Sequence, residues 1–133
     1  MKIVNFAEMN SELNRFVAEI RDIHIQQDRL RFRKNLERIG EVMSYEISKD
    51  FRYSEKLVTT PLGTARVNTA DDKIVIGTIL RAGIPYHQGF LNYFDRAENA
   101  FVSAYRKYKD KLNFEIFIEY IASPRIDGKI LIL

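Results

Sequence analysis

Apolar residues in the first third of the chain recur at helical spacing. Leu13, Phe16, Val17 and Ile20 fall at i, i+3, i+4 and i+7, which gathers them on one helix face, and Ser11 is the expected N-cap. Phe32, Leu36, Ile39, Met43 and Ile47 follow at intervals of four, three, four and four. Arg31, Arg33, Lys34, Glu37, Arg38 and Glu41 fill the other faces, so the pattern predicts a second, longer amphipathic helix.

The period then changes. Leu57-Val58-Thr59-Thr60 and Ala65-Arg66-Val67 flank Thr60-Pro61-Leu62-Gly63, where Pro and Gly suit a type I turn, so a hairpin is expected. Asn68 to Asp72 reads as a polar break. The run from Lys73 to Leu80 is β-branched and apolar on alternate positions of both parities, the pattern of an interior parallel strand covered on each side. Arg81-Ala82-Gly83 interrupts it, and a helix can start at Pro85, with Tyr86, Phe90, Tyr93 and Phe94 as its apolar stripe. Ala100 to Tyr105 is the next strand, which makes a βαβ crossover the natural connection.

From Asn113 to Ile121 the residues alternate, with Phe114, Ile116, Ile118 and Tyr120 on one side and Glu115, Phe117 and Glu119 on the other. This predicts a half-exposed antiparallel arm with both glutamates solvated. Ser123-Pro124-Arg125 and Asp127-Gly128 are turn material, and Lys129 to Leu133 forms a last apolar strand. Chains seldom stop inside such a strand, because its faces and backbone groups need cover.

Length and composition narrow the class. A chain of 133 residues, 46% hydrophobic and 29% charged, suits one globular domain. The absence of cysteine excludes disulfides, thiolate zinc sites and a cysteine nucleophile. No stretch approaches the ~18 consecutive apolar residues of a membrane helix, and Glu8 stands where a secretory signal would have its apolar run, so a cytoplasmic location and no membrane partner are expected. The 21 basic and 18 acidic residues leave a net charge of only +3, with the signs interspersed. Nucleic acid is therefore not the expected partner, and the basic run from Arg21 to Arg38 reads as a solvated helix face.

The informative chemistry lies at strand ends. Ligands of open α/β sheets bind at the carboxyl ends of the parallel strands, and two such ends carry an arginine, Arg81 and Arg106. Ala82 and Gly83 would let a ligand approach the backbone after Arg81, and amides at the start of the following helix would face an anion there. His24 and His87 stand alone, outside any metal-ligand spacing, and are assigned structural or surface roles; Asp71-Asp72 is read as a polar turn, and Tyr105 as packing beside its strand end.

Ile79-Leu80-Arg81-Ala82-Gly83, Tyr105-Arg106 and Asp127-Gly128-Lys129-Ile130-Leu131-Ile132-Leu133, taken in order, resemble the uracil phosphoribosyltransferase family. Arg31-Phe32-Arg33, Leu36, Ile39-Gly40 and Ser44-Tyr45-Glu46 are similar to that family's early helix. The resemblance implies an α/β phosphoribosyltransferase-like fold, a parallel sheet flanked by helices with N-terminal helices and an antiparallel arm. It also implies transfer of ribose 5-phosphate from phosphoribosyl pyrophosphate (PRPP) to uracil, releasing pyrophosphate, with Mg²⁺ accompanying PRPP. Arg81, Ala82, Gly83 and Arg106 match its pyrophosphate-binding positions; no residue matches as catalytic or metal-binding.

The family's Asp-rich, Thr-Gly-Gly-Ser-type PRPP loop and its uracil-reading hood have no counterpart in the sequence. Residues 1–133 are accordingly expected to form a single phosphoribosyltransferase-like domain cut before that loop, with an incomplete sheet, and to be inactive alone. The other readings are a degenerate, non-catalytic paralogue acting as a dimerising partner, and a regulatory relative that binds RNA. A homo-oligomer is expected because exposed apolar strands favour self-association.

Overall fold

The computed structural model describes residues 3–108 and 113–133. Two helices open it, α1 (Leu13–Arg21) and α2 (Arg29–Ser48). The expected cap on α1 is not made. The helix starts one residue after Glu12, with no side chain bonded to its first amides, and Ser11 contributes only its backbone carbonyl to Asn14. The stronger cap stands before α2, where the Asp28 carboxylate accepts from the amides of Leu30 at 3.1 Å and Arg31 at 3.0 Å. Those bonds, the one from Arg31 above all, hold its carboxyl below the usual range.

A hairpin follows, β1 (Tyr53–Thr60) with β2 (Gly63–Ala70), joined at Pro61-Leu62 and paired Thr60 to Gly63. Gly63 has φ 127°, a backbone conformation that favours glycine at this position. Both strands are longer than the sequence pattern suggests. Asn68 and Thr69, expected in a polar break, pair with Glu55 and Ser54, since a ladder needs backbone partners more than apolar side chains.

The main sheet has the order β5-β4-β3-β6. β3 (Ile74–Leu80) leads through Arg81-Ala82-Gly83 into α3 (Ile84–Tyr93), with Pro85 in its first turn, and β4 (Glu98–Tyr108) returns parallel to β3. β5 (Phe114–Ala122) pairs antiparallel with β4, and β6 (Ile130–Ile132) lies parallel to β3 on its other side. The expected βαβ unit, arm and last strand are all present. This is the α/β phosphoribosyltransferase-like fold that the resemblance implies.

α3 packs on one face of the sheet and α2 on α3. Ile76, Phe90 and Ile132 form the buried centre, with Met43, Ile47 and Phe94 against it. The α2 contact is closer than its apolar stripe suggests, because its fully shielded positions are Asn35, Ile39, Gly40 and Ser44. Among the described residues the other sheet face is only partly covered: Val75 is buried, whereas Ile79 and Leu131 remain exposed. The sequence pattern of β3 anticipates cover on both sides, and the described residues cover the α3 side better, with Ile76 buried and Ile74, Thr78 and Leu80 half-buried.

Candidate functional site: the carboxyl ends of β3 and β4

At the carboxyl end of the parallel pair the chain leaves a cavity of about 1210 Å³. Its walls come from the turn Arg81-Ala82-Gly83, the second half of β4 through Arg106, and Glu119, Ile121 and Ser123 from β5 and the residue after it. Leu131 and Leu133 close it from the β6 side. The four residues singled out in the sequence therefore share one cavity.

The register explains how. Leu80 pairs with Ser103, so Arg81 leaves β3 just beyond that level while β4 runs on to Arg106 and Tyr108. Among the described residues neither arginine has a carboxylate partner. Arg106 instead lies over the Phe114 ring at 4.9 Å, a stacking a planar guanidinium makes while its in-plane donors stay available. Two arginines in one mostly apolar cavity, neither in an ion pair among the described residues, form a site that favours an anion.

Gly83 allows the turn to close. A Cβ there would meet the Thr78 Cγ2 at 2.7 Å and the Ile79 carbonyl oxygen at 2.9 Å, so the turn folds directly back on β3. The Gly83 amide donates to the Ile79 carbonyl at 3.2 Å, and the His87 amide to the Gly83 carbonyl at 2.9 Å.

Glu119 is exposed, as expected, and also borders the cavity. A shift in the β4–β5 register between Ser103 and Ala104 pairs Tyr120 with Ser103 and Ile118 with Ala104, leaving Glu119 without a partner position. At a two-residue step with Ile121 and Ser123, Glu119 lines the cavity beside this bulge. Sequence periodicity alone misses this, because nothing in Phe114 to Ile121 marks the irregularity.

Other singled-out residues go elsewhere. His24 is exposed, while His87 is buried, with its Nδ1 at 2.7 Å from the Thr78 hydroxyl and its Nε2 at 2.7 Å from Asn99 Oδ1. Asp72 accepts from the Arg52 amide at 2.8 Å and from its guanidinium, while Asp71 takes the Ser54 hydroxyl and the Lys56 ammonium. The acidic pair thus ties the hairpin base to the linker before β3. Tyr105 stacks on Phe117, ring centroids 5.9 Å apart. No group of three or more metal-ligating side chains occurs among the described residues, and none of their helices is long and apolar enough to cross a membrane.

The family model for uracil phosphoribosyltransferase matches residues 9–132, a span that holds both arginines and the turn between strand and helix. The chain belongs to the uracil phosphoribosyltransferase family. Relatives of that name from two strains of Porphyromonas gingivalis are 62% identical to it over 133 residues, all of this chain and 62% of theirs. One from Methanothermobacter thermautotrophicus is 39% identical over 104 residues, 77% of this chain and 47% of its own. Among solved structures, the AQ2163 protein from Aquifex aeolicus superposes with a TM-score of 0.74 at 31% identity, covering 90% of this chain and 55% of that one. The chain thus spans under two thirds of the length of each of these relatives.

Proposed function

We propose that the cavity at the ends of β3 and β4 holds the pyrophosphate end of PRPP, and that the chain belongs to an enzyme transferring ribose 5-phosphate to uracil. One observation carries this reading: Arg81 and Arg106 stand in the same cavity without carboxylate partners among the described residues. Membership of the family and the names of its relatives supply the substrates.

The chemistry is electrostatic. As the bond from the ribose C1 to pyrophosphate breaks, negative charge moves onto the departing oxygen, and uracil N1 bonds to C1 with loss of its proton. Cations fixed beforehand stabilise that charge more in the transition state than in the bound substrate. Arg81 sits on a turn folded against β3, and the Arg106 guanidinium lies over the Phe114 ring. Mg²⁺ enters with the pyrophosphate as part of the substrate.

The 133 residues supply the leaving-group side of the reaction, so they bind Mg²⁺-pyrophosphate without producing UMP from uracil and PRPP. The reading also places the protein in the cytoplasm, where PRPP serves nucleotide synthesis and salvage. Titration calorimetry with Mg²⁺-pyrophosphate tests it. Saturable binding that Arg81→Ala and Arg106→Ala each weaken supports the assignment, and no binding at millimolar ligand and low salt removes it.

A homo-oligomer is proposed at a different surface, the β1–β2 hairpin. Leu57, Val58 and Val67 lie on opposite faces of a hairpin that pairs only with itself among the described strands, and all three are exposed. A two-stranded ribbon with apolar side chains on both faces is marginal in water alone, and a second copy of the chain would cover it.

A further inference from the structure

Between α3 and the sheet lies a buried histidine that the transfer reaction does not use, held by a half-buried threonine and an exposed asparagine. His87 is 5% exposed, and both its ring nitrogens are engaged, Nε2 by Asn99 Oδ1 and Nδ1 by the Thr78 hydroxyl, each at 2.7 Å. A carboxamide oxygen only accepts, so Nε2 carries the proton and donates to Asn99. The Thr78 hydroxyl, able to donate or accept, pairs with Nδ1. The Phe101 ring centroid lies 5.1 Å from the imidazole.

The three residues sit on three different elements. Thr78 belongs to β3, two positions before Leu80; His87 to the first turns of α3; Asn99 to the start of β4. The Thr78 methyl lies directly under Gly83, and the His87 amide donates to the Gly83 carbonyl. A closed circuit therefore runs from β3 through the imidazole to α3, back along its backbone to the Arg81-Ala82-Gly83 turn, and sideways to β4. Its two outer members precede the two arginines on their own strands.

A buried imidazole is costly to leave half satisfied, so this circuit admits one arrangement of turn and strand. An apolar trio of similar volume would pack here without fixing direction, whereas two hydrogen bonds at opposite ends of a rigid ring fix both distance and angle. We propose that His87 is a positioning residue, which through Thr78 and Asn99 sets the Arg81 turn relative to the Arg106 strand and so the affinity for pyrophosphate. The proposal rests on the pyrophosphate reading of that cavity.

The experiment separates the two claims. Affinity for Mg²⁺-pyrophosphate and the thermal midpoint are measured for the wild-type chain, Thr78→Val, Thr78→Ser, His87→Leu and the Thr78→Val/His87→Leu pair. Thr78→Val keeps the Cγ2 methyl under Gly83 and exchanges the hydroxyl for a second methyl, so it is expected to weaken binding about five- to tenfold. Thr78→Ser, which keeps the hydroxyl, restores most of the affinity. The double variant binds no more weakly than His87→Leu alone, because both changes break one circuit.

Ser44→Ala is the control. It removes a buried hydroxyl bonded to the Gly40 carbonyl at 2.8 Å, so it lowers the midpoint while leaving pyrophosphate affinity unchanged. Equal affinity for wild type and Thr78→Val overturns the positioning role alone. So does a loss in Ser44→Ala as large as that in Thr78→Val. A wild-type chain that fails to bind pyrophosphate overturns the site reading and this role with it.

Discussion

Gly40 of α2 and Gly89 of α3 meet where the two helices cross, so closely that a Cβ on Gly89 would lie 2.9 Å from the Gly40 Cα and 2.0 Å from the Glu37 carbonyl oxygen. The obstacle is backbone on both sides, with no flexible side chain to give way. Alanine in place of Gly89 would add helix propensity of about 1 kcal/mol, but the overpacking acts against it and costs more, ~2–3 kcal/mol. Gly89→Ala is therefore expected to lower the urea midpoint, and an unchanged or raised midpoint would show that the helices separate without penalty.

The arginine pair gives a second prediction. A charge-assisted hydrogen bond contributes roughly 1.5–3 kcal/mol, so Arg81→Ala and Arg106→Ala should each reduce Mg²⁺-pyrophosphate affinity by about 10- to 100-fold. Arg106→Lys keeps the charge but loses the fork and the stacking on Phe114, so it recovers only part of the loss. Calorimetry at fixed ionic strength measures this. Full recovery by lysine would reduce the role of Arg106 to a point charge.

Much of this arrangement was legible before any coordinates. The β-branched run from Ile74 to Leu80 admits little but a buried strand, and Pro85 after Gly83 marks a helix start, so the turn carrying Arg81 could be placed from sequence. Placing Arg106 in the same cavity needed only that the next strand be parallel. Three things were not legible. Ser11 has the chemistry of a cap, yet α1 starts beyond it at Leu13, so side-chain type alone did not fix the boundary. Glu119 lines the cavity beside a register shift that leaves no mark in the sequence. His87 looked isolated because its partners Thr78 and Asn99 are polar, short and distant in sequence; only the crossover brings them to one ring.

Asp72 makes the hairpin base sensitive to acid. Its carboxyl is held below the usual range, first by the Arg52 amide and then by the Arg52 guanidinium. A depressed carboxyl stabilises the fold above its unfolded value, about 3.9, and that contribution is lost as pH falls through the lower folded value. Asp72→Asn should therefore narrow the stability gap between pH 6 and pH 3 relative to wild type. Urea titrations across that range measure it, and identical pH dependence in both proteins would show that the Arg52 contact contributes nothing.

The hairpin should also govern assembly. Leu57 is 70% exposed and points to the face opposite Val58 and Val67. If a second copy covers this ribbon, sedimentation velocity of the wild-type chain gives a discrete dimer, and Leu57→Glu or Val67→Glu shifts it to monomer without changing the far-ultraviolet spectrum. A wild-type monomer at tens of micromolar would set the oligomer aside and leave the hairpin's apolar residues unexplained by self-association.

Glu119 offers the sharpest test of charge in the cavity, because it lines the same space as Arg81 and Arg106 without forming an ion pair with either. A carboxylate within several ångströms of a bound pyrophosphate repels it, and at a partly solvated site that repulsion is on the order of 0.5–1 kcal/mol. Removing the charge while keeping the shape, as Glu119→Gln does, should tighten pyrophosphate binding about two- to fivefold. The gain should shrink as salt rises and screening takes over. Weaker binding in Glu119→Gln would mean that the carboxylate organises the cavity's cations; tighter binding that is indifferent to salt would assign the effect to altered packing of the β5 bulge.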